Sequence, residues 1–303
     1  MNRLIYLIIP IVLLFSCKGP AVSVDSGSAE STISTPYYTT TSADSIVFDE
    51  IMRRFLVPLA STAPLNHRII EAGRAFLGTP YVASTLEAEG DERLIVNLKG
   101  VDCTTFVEYA TAMAITSQNG DIRFIDFARE LAELRYRNGI IDGYPSRLHY
   151  FTDWLKVNER RGYLTIISDE IGNAEMEKGV NFMTTNPQYY RQLQENPSYI
   201  EIMAGIESSM YGYEMRYITK DVIEEKASLI HDGDIIAFVT TIKGLDVSHT
   251  GLALHQNGRL HFMHASLGAK EVEITNVPLS VYLQGLKNVS GILVARVDYK
   301  WSR

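Results

Sequence analysis

Near the C-terminus five short apolar runs follow in quick succession: Ile235 to Thr241, Val247 to Leu254, Arg259 to Ala265, Glu271 to Thr275 and Gly291 to Val297, with turn residues between them. Runs this short, bounded by turn signals, read as strands, and their close spacing implies an antiparallel meander. Asn257-Gly258 separates the second run from the third, and both residues tolerate the positive φ that a tight hairpin demands. Such a sheet has an apolar face to cover, and the upstream sequence supplies helices. One starts near Ser42 or Ser45, with Val47, Ile51 and Phe55 at four-residue steps, and stops before Pro58. A second runs from about Asn66 to Leu77, with Ile69, Gly73 and Phe76 on one side. Phe124, Phe127, Ala128, Leu131 and Leu134 mark another, Trp154-Leu155 a further one, and the run from Tyr163 to Ile167 a strand. Helices, a long helical insert at about 118–230 and then a small sheet predict an α+β fold with helices packed on one face.

The stretch Gly100-Val101-Asp102-Cys103-Thr104-Thr105-Phe106-Val107-Glu108-Tyr109-Ala110 places a single cysteine at the first turn of a helix. Gly78-Thr79-Pro80 ends the preceding helix, and Tyr81 to Glu87 leads extended towards this one. Phe106, Val107, Ala110, Met113 and Ala114 recur at helical spacing, so one face can pack on a core. Asp102 is a candidate N-cap. A thiol at a helix N-terminus feels the positive end of the dipole, which favours thiolate, and the free N–H groups there can stabilise an oxyanion. Cys103 is therefore a candidate nucleophile for acyl transfer, although a lone helical cysteine is more commonly a small buried hydrophobe.

The other cysteine, Cys17, excludes a disulfide by its place. Arg3, the apolar run Leu4 to Phe15 and then Ser16-Cys17 have the layout of an export signal, too short for a membrane span. Leu14-Phe15-Ser16-Cys17 resembles a bacterial lipobox, which makes residues 1–17 a lipoprotein signal and Cys17 the lipidated residue, with ordinary cleavage or an uncleaved anchor as the alternatives. From Lys18 to Ala43 the chain is rich in Ser, Thr and Gly without periodicity and reads as a flexible tether, leaving 44–303 as the folded domain. The expected location is the cell envelope, anchored to a membrane through lipid. A net charge of −8 and a pI near 5.4 argue against nucleic acid as a partner, since phosphate contacts need a basic face.

A nucleophilic thiol needs a base, and the candidates are His67, His149, His231, His249, His255, His261 and His264. Strand alternation puts Val247, His249, Gly251 and Ala253 on one face, with Gly251 leaving room for a neighbour beside His249. His261 and His264 are three apart on the next strand and face opposite ways, so at most one can point at the same site. That parity also disfavours a zinc site of His255, His261 and His264, and no metal or other cofactor is expected.

Several blocks then resemble, in order, the NlpC-type cell-wall cysteine peptidases: Gly78-Thr79-Pro80-Tyr81, Asp102-Cys103-Thr104-Thr105-Phe106-Val107, Gly233-Asp234-Ile235-Ile236, Ser248-His249-Thr250-Gly251-Leu252-Ala253-Leu254 and His264-Ala265-Ser266. Gly78 to Glu87, Arg147-Leu148-His149-Tyr150, Asp153-Trp154, Asn181-Phe182-Met183 and Gly244-Leu245-Asp246-Val247 are similar, more closely, to the N-acetylmuramoyl-L-alanine amidase-like branch. The similarity extends from about Phe48 to Arg296. It implies a papain-like arrangement, with Cys103 as nucleophile, His249 as base and His264 as the residue that orients the base. The hairpin is longer than in the plain pattern, so His261 remains an alternative third residue. Tyr81 matches a tyrosine beside the nucleophile that binds substrate or the oxyanion, against core packing as the other reading, and Asp102 is taken as a structural cap. The implied activity is hydrolysis of the N-acetylmuramoyl-L-alanine bond of muropeptide fragments. The alternatives are a D-glutamyl-diamino-acid endopeptidase on stem peptides, an acyltransferase on the same fold and a non-catalytic cell-wall binding lipoprotein. Cys103 and His249 lie 146 positions apart, far more than a minimal domain of this type needs. The insert is expected to fold over the cleft, with Arg147, His149, Asp153 and Trp154 as candidate wall residues that bind substrate, against a structural role as the other reading of each.

Overall fold

The computed structural model describes residues 32–34, 38–119, 122–176 and 179–299, and the expected signal, Cys17 and most of the expected tether lie outside them. The first described elements are β1 (Thr32–Ser34) and β2 (Tyr38–Thr41), which pair antiparallel. β2 also runs parallel to Leu94–Ile95, designated β3 below, so the stretch expected as tether up to residue 43 already contains a strand of the domain. Helix α1 (Ser42–Ile51) begins in a reciprocal cap: the Asp44 N–H donates to the Thr41 hydroxyl at 3.2 Å, and the Thr41 N–H to the Asp44 carboxylate at 2.9 Å. Of the expected Val47, Ile51 and Phe55, Ile51 is buried and the other two are partly buried against the core, while Phe48 and, just past the helix, Met52 are fully buried. The chain continues through a wider π turn, Met52–Leu56, and a 3-10 turn, Val57–Leu59, so a strict four-residue step drifts off the buried face. Helix α2 (Leu65–Ala75) buries Ile69, Gly73 and Phe76 as expected.

After β3 (Leu94–Ile95) comes α3 (Cys103–Thr116), buried on every side from Thr105 to Thr116 instead of along one stripe. It is the central helix, packed on α2, on α4 (Phe124–Arg135) and on the sheet. Its buried charge, Glu108, is neutralised by Arg135 of α4 at 2.7 Å, and the two side chains are no more than 2% exposed. Arg135 also donates to the carbonyl of Ile95 at 2.7 Å, which ties β3 to the helices.

Helix α5 (Phe151–Arg160) follows, then the short strands β4 (Leu164–Thr165), β5 (Ala174–Glu175) and β6 (Arg216–Thr219). The C-terminal runs form β7 (Ile235–Thr240), β8 (Val247–Gln256), β9 (Arg259–Ser266), β10 (Glu271–Ile274) and β11 (Val289–Val297). β7 to β10 are the expected antiparallel meander, and Asn257 and Gly258 turn β8 into β9 with φ of 52° and 76°. β11 departs from a simple meander: it crosses back to pair with β7, giving the order β10-β9-β8-β7-β11-β6-β5, with β4 on the end of β11. The insert is thus not purely helical, since it supplies β4, β5 and β6 to this sheet.

Alternation along the strands splits the interior in two. Ala237, Val239, Leu252, Leu254, Met263, Ala265 and Leu293 face α2 and α3. Ile236, Phe238, Ala253, Leu260, Phe262 and Val294 face the other way, onto Ile218, Ile223 and a short helix, Leu279–Gln284. A satellite cluster of Tyr144, Tyr150, Val180, Met183, Leu193, Met203 and Met210 holds the rest of the insert together.

Candidate active site

Asp102 caps α3 as its place in the sequence predicted. Its carboxylate accepts from the Thr105 N–H at 2.8 Å, and the Thr105 hydroxyl accepts from the Asp102 N–H at 2.9 Å. This fixes the chain direction at the helix start and leaves the N–H groups of Cys103 and Thr104, which have no carbonyl four residues back within the helix, beside the thiol. The half-buried Cys103 is anchored to the sheet: the Thr250 hydroxyl donates to the Cys103 carbonyl at 2.9 Å. The residue before Thr250 is His249, so the candidate base is carried on the strand that is bonded to the start of the helix. Upstream, Tyr81 bridges to Val101, and its phenol feels the charges of both Cys103 and Asp102. Burial is the larger influence, and it keeps this hydroxyl protonated. The expected extended run ends there, because Ala83 to Leu86 form a turn.

His249 Nε2 lies 2.7 Å from His264 Nδ1, with the two rings perpendicular. Phe238 and Phe262 flank the His249 ring at 5.5 and 5.7 Å, and Phe262 stacks on His264 at 4.7 Å. Gly251 is what admits Phe262, since a Cβ there would sit 2.7 Å from the phenyl ring. The position opposite His249 is therefore filled by His264, not His261. His261 points elsewhere, donating from Nδ1 to the Thr275 carbonyl at 2.8 Å, while His255 pairs with Asp232 at 2.7 Å.

The electrostatics differ from what a helix terminus alone predicts. Burial pushes the Cys103 thiol up to about 11, and the Asp102 charge adds to this against hydrogen bonds from Thr250 and Thr104. Burial pulls His249 down to about 4 and, with the charge of His249 added, His264 to about 2. Burial thus favours the neutral thiol and the neutral imidazoles, against the thiolate that the helix terminus favours.

Three of the four expected wall residues do not line a cleft. Trp154 is fully buried and stacks on Phe151 within the main core, because α5 packs inward. Asp153, 1% exposed, is held by Arg137 and by the Tyr213 hydroxyl at 2.7 Å. Arg147 is buried against Glu87 at 2.8 Å and Glu92 at 3.6 Å, with its guanidinium over the Tyr144 ring. His149 is half-buried and donates from Nε2 to the Tyr144 carbonyl at 2.8 Å. Arg147 braces the loop that follows Tyr81, and the buried Asp246, whose role the sequence did not disclose, braces the strand that carries His249. Its carboxylate accepts from the Thr152 N–H and hydroxyl at the start of α5 and from the Val247 N–H, all at 2.8 Å. The advance signals were its place in the block Gly244-Leu245-Asp246-Val247 and immediately before a strand, neither of which names a partner.

A crystal structure of an N-acetylmuramoyl-L-alanine amidase from Bacteroides uniformis is similar to this chain with 38% identity and a TM-score of 0.75, over 78% of this chain and 99% of the other. A proposed xylanase from Bacteroides fragilis is 42% identical over 75% of this chain and 99% of its own, with a TM-score of 0.71. A Legionella pneumophila protein at 22% identity shares the fold, with a TM-score of 0.64 over 84% of this chain and 95% of that one. No curated protein matches the chain. Residues 71–292 match the model of the N-acetylmuramoyl-L-alanine amidase-like family, and the chain belongs to that family.

Proposed function

We propose that the protein is a cysteine amidase of the papain-like, NlpC-type branch that hydrolyses the bond between the N-acetylmuramoyl lactyl group and L-alanine in muropeptide fragments. The observation that carries this reading is the 2.7 Å contact between His249 and His264 on β8 and β9, the first of which is also bonded through Thr250 to the start of the Cys103 helix. With Nε2 of His249 engaged by His264, Nδ1 is the nitrogen available to the thiol. As the sulfur attacks the lactyl carbonyl, its proton passes to Nδ1, and the oxyanion is met by N–H groups at the start of α3 and by the Tyr81 hydroxyl. The imidazolium then gives that proton to the departing amine of L-alanine. Water, deprotonated by His249, hydrolyses the thioester and restores the thiol.

The name xylanase carried by one relative fits these residues poorly. Glycoside hydrolysis calls for two carboxyl groups flanking the scissile bond, and the Asp102 carboxylate beside the thiol is spent on capping α3. Cys17 is proposed as a lipid anchor that holds the enzyme in the cell envelope, and Cys17→Ala should free it from membranes while leaving hydrolysis unchanged. An unmodified mature N-terminus at Lys18 or later would refute the anchor.

The direct test is incubation with a muramoyl peptide and with a sugar-free stem peptide, followed by mass analysis. Free stem peptide from the first, abolished in Cys103→Ala and nearly so in His249→Ala, is expected. Cleavage of the sugar-free peptide after D-glutamate would assign the endopeptidase activity instead.

A further inference from the structure

One nitrogen at the centre of the site lacks a partner. His264 is 1% exposed and its Nδ1 meets His249, yet its Nε2 is sealed from solvent without a hydrogen bond. Leaving a buried polar group unpaired is destabilising, so such a group ordinarily has a partner. The carboxylate of Glu273 stands 3.8 Å from this nitrogen. Glu273 is directly opposite His264 in the β9–β10 register, so strand pairing itself holds the two side chains on one face. Glu273 is 30% exposed, free to shift by the small amount that a hydrogen bond requires.

We propose that Glu273 is a positioning residue that accepts the Nε2–H of His264 and thereby sets the tautomers of both histidines. The inference rests on the cysteine–histidine reading of the site, and its logic is a count of protons. A neutral imidazole has one N–H and one lone pair. If Nε2 of His264 carries its proton, Nδ1 of His264 is an acceptor and the 2.7 Å contact must be donated by His249 Nε2. That leaves the lone pair of His249 on Nδ1, where it can take the thiol proton. In the opposite arrangement His249 Nδ1 already bears hydrogen and cannot act as base. A carboxylate, which accepts and does not donate, selects the first arrangement. The charge also acts in the right direction once His249 becomes imidazolium, drawing positive charge along the pair.

The other groups facing His264 do not replace it. His249 approaches from β8, and the ring of Tyr282 from the helix Leu279–Gln284 at 5.7 Å. The Tyr282 hydroxyl makes no hydrogen bond to His264 Nε2, and burial and the Glu273 charge both raise it, so it brings no negative charge to the ring. The 3.8 Å separation fits a free enzyme, in which such contacts are often long and tighten when substrate binds.

The test combines kinetics on a muramoyl peptide with nitrogen-15 NMR of the histidine rings, which reads tautomers without any turnover. Glu273→Ala should lower kcat by about tenfold or more, a fraction of a general base's contribution, with KM within twofold. Glu273→Gln should recover most of that loss, because its amide oxygen accepts the same N–H. In a His264→Ala background, Glu273→Ala should add nothing. The wild-type rings should show Nε2–H tautomers at both His249 and His264, and Glu273→Ala should mix them. Unchanged tautomers in Glu273→Ala, or an equal loss of kcat in the His264→Ala background, would overturn the proposal. Hydrolysis persisting in Cys103→Ala would instead overturn the reading of the site, a separate outcome.

Discussion

The protonation state of the resting site can be tested with a small alkylating reagent such as iodoacetamide, which reacts with thiolate and not with thiol. The only other cysteine, Cys17, is removed by Cys17→Ala, so the adduct reports Cys103 alone. With the thiol pushed up to about 11, the thiolate fraction at pH 7 is about one in 10,000, against about 3% for an ordinary cysteine with a value near 8.5. Alkylation at pH 7 should therefore be roughly 300-fold slower than for an unperturbed thiol, and should rise about tenfold per pH unit up to pH 10. His249, pulled down to about 4, is neutral throughout this range, so His249→Ala should leave the profile within a fewfold of wild type. The rate is read by mass spectrometry of the single adduct over time. A plateau established below pH 7, lost in His249→Ala, would show a preformed thiolate–imidazolium pair and refute the argument from burial. The same reasoning puts the acid limb of kcat/KM near pH 4 instead of 6.5, because the base must be unprotonated.

The buried Glu108–Arg135 pair should be intolerant of halving: Arg135→Ala strands a carboxylate inside α3 and should destabilise the protein by about 3–5 kcal/mol in urea unfolding, whereas Glu108→Gln with Arg135→Met should be markedly milder. His264, almost wholly buried and held near 2, contributes stability that is present above pH 6.5 and lost as pH falls towards 2, because only the unfolded chain binds its proton in that window. Between pH 7 and 5 that loss is about 2 kcal/mol, so His264→Asn should lose about that much less than wild type over the same interval, and parallel pH dependences would contradict it. Asp246→Ala, which leaves the α5 N-terminus and the start of β8 unbraced, should reduce hydrolysis and stability together, by about 1–3 kcal/mol in the latter, and an unaffected enzyme would remove Asp246 from the support of His249.

What the sequence disclosed was local chemistry. Strand alternation separated His249 from its neighbours and set His261 against His264, and the Asn257-Gly258 turn fixed the hairpin on which that parity depends. The Asp102 cap was legible because capping involves residues three apart. Long-range closure was hidden. Nothing local tells β11 to return to β7, and the burial of α3 on all sides is masked by Thr105, Glu108, Thr111 and Thr116, polar residues that look solvent-facing until Arg135 and the neighbouring backbone are in place. The same blindness turned Asp153 and Trp154 into candidate wall residues: a motif gives their spacing, not that α5 rolls them into the core. It also hid the burial that opposes thiolate at Cys103, since a helix terminus is visible in sequence and the packing around it is not.

The insert makes most sense as the part that joins the two flanks of the nucleophile. On one side Arg147 holds Glu87, the Tyr136 hydroxyl donates to Glu92 at 2.8 Å, and Arg191 donates to the Ala88 carbonyl, all on the loop that continues from Tyr81. On the other, Thr152 donates to Asp246, and the N–H groups of Asn181 and Phe182 share the Gly244 carbonyl at 3.0 Å, just before the strand of His249. Tyr81 and His249 come from chain segments more than 160 positions apart, and neither loop could fix its position relative to the other alone. A single folded unit that grips both holds these two segments in register, as the proposed cysteine–histidine site requires. Its residues therefore need not touch substrate to matter for catalysis, because a displacement of about 1 Å in a reacting group can cost a hundredfold in rate.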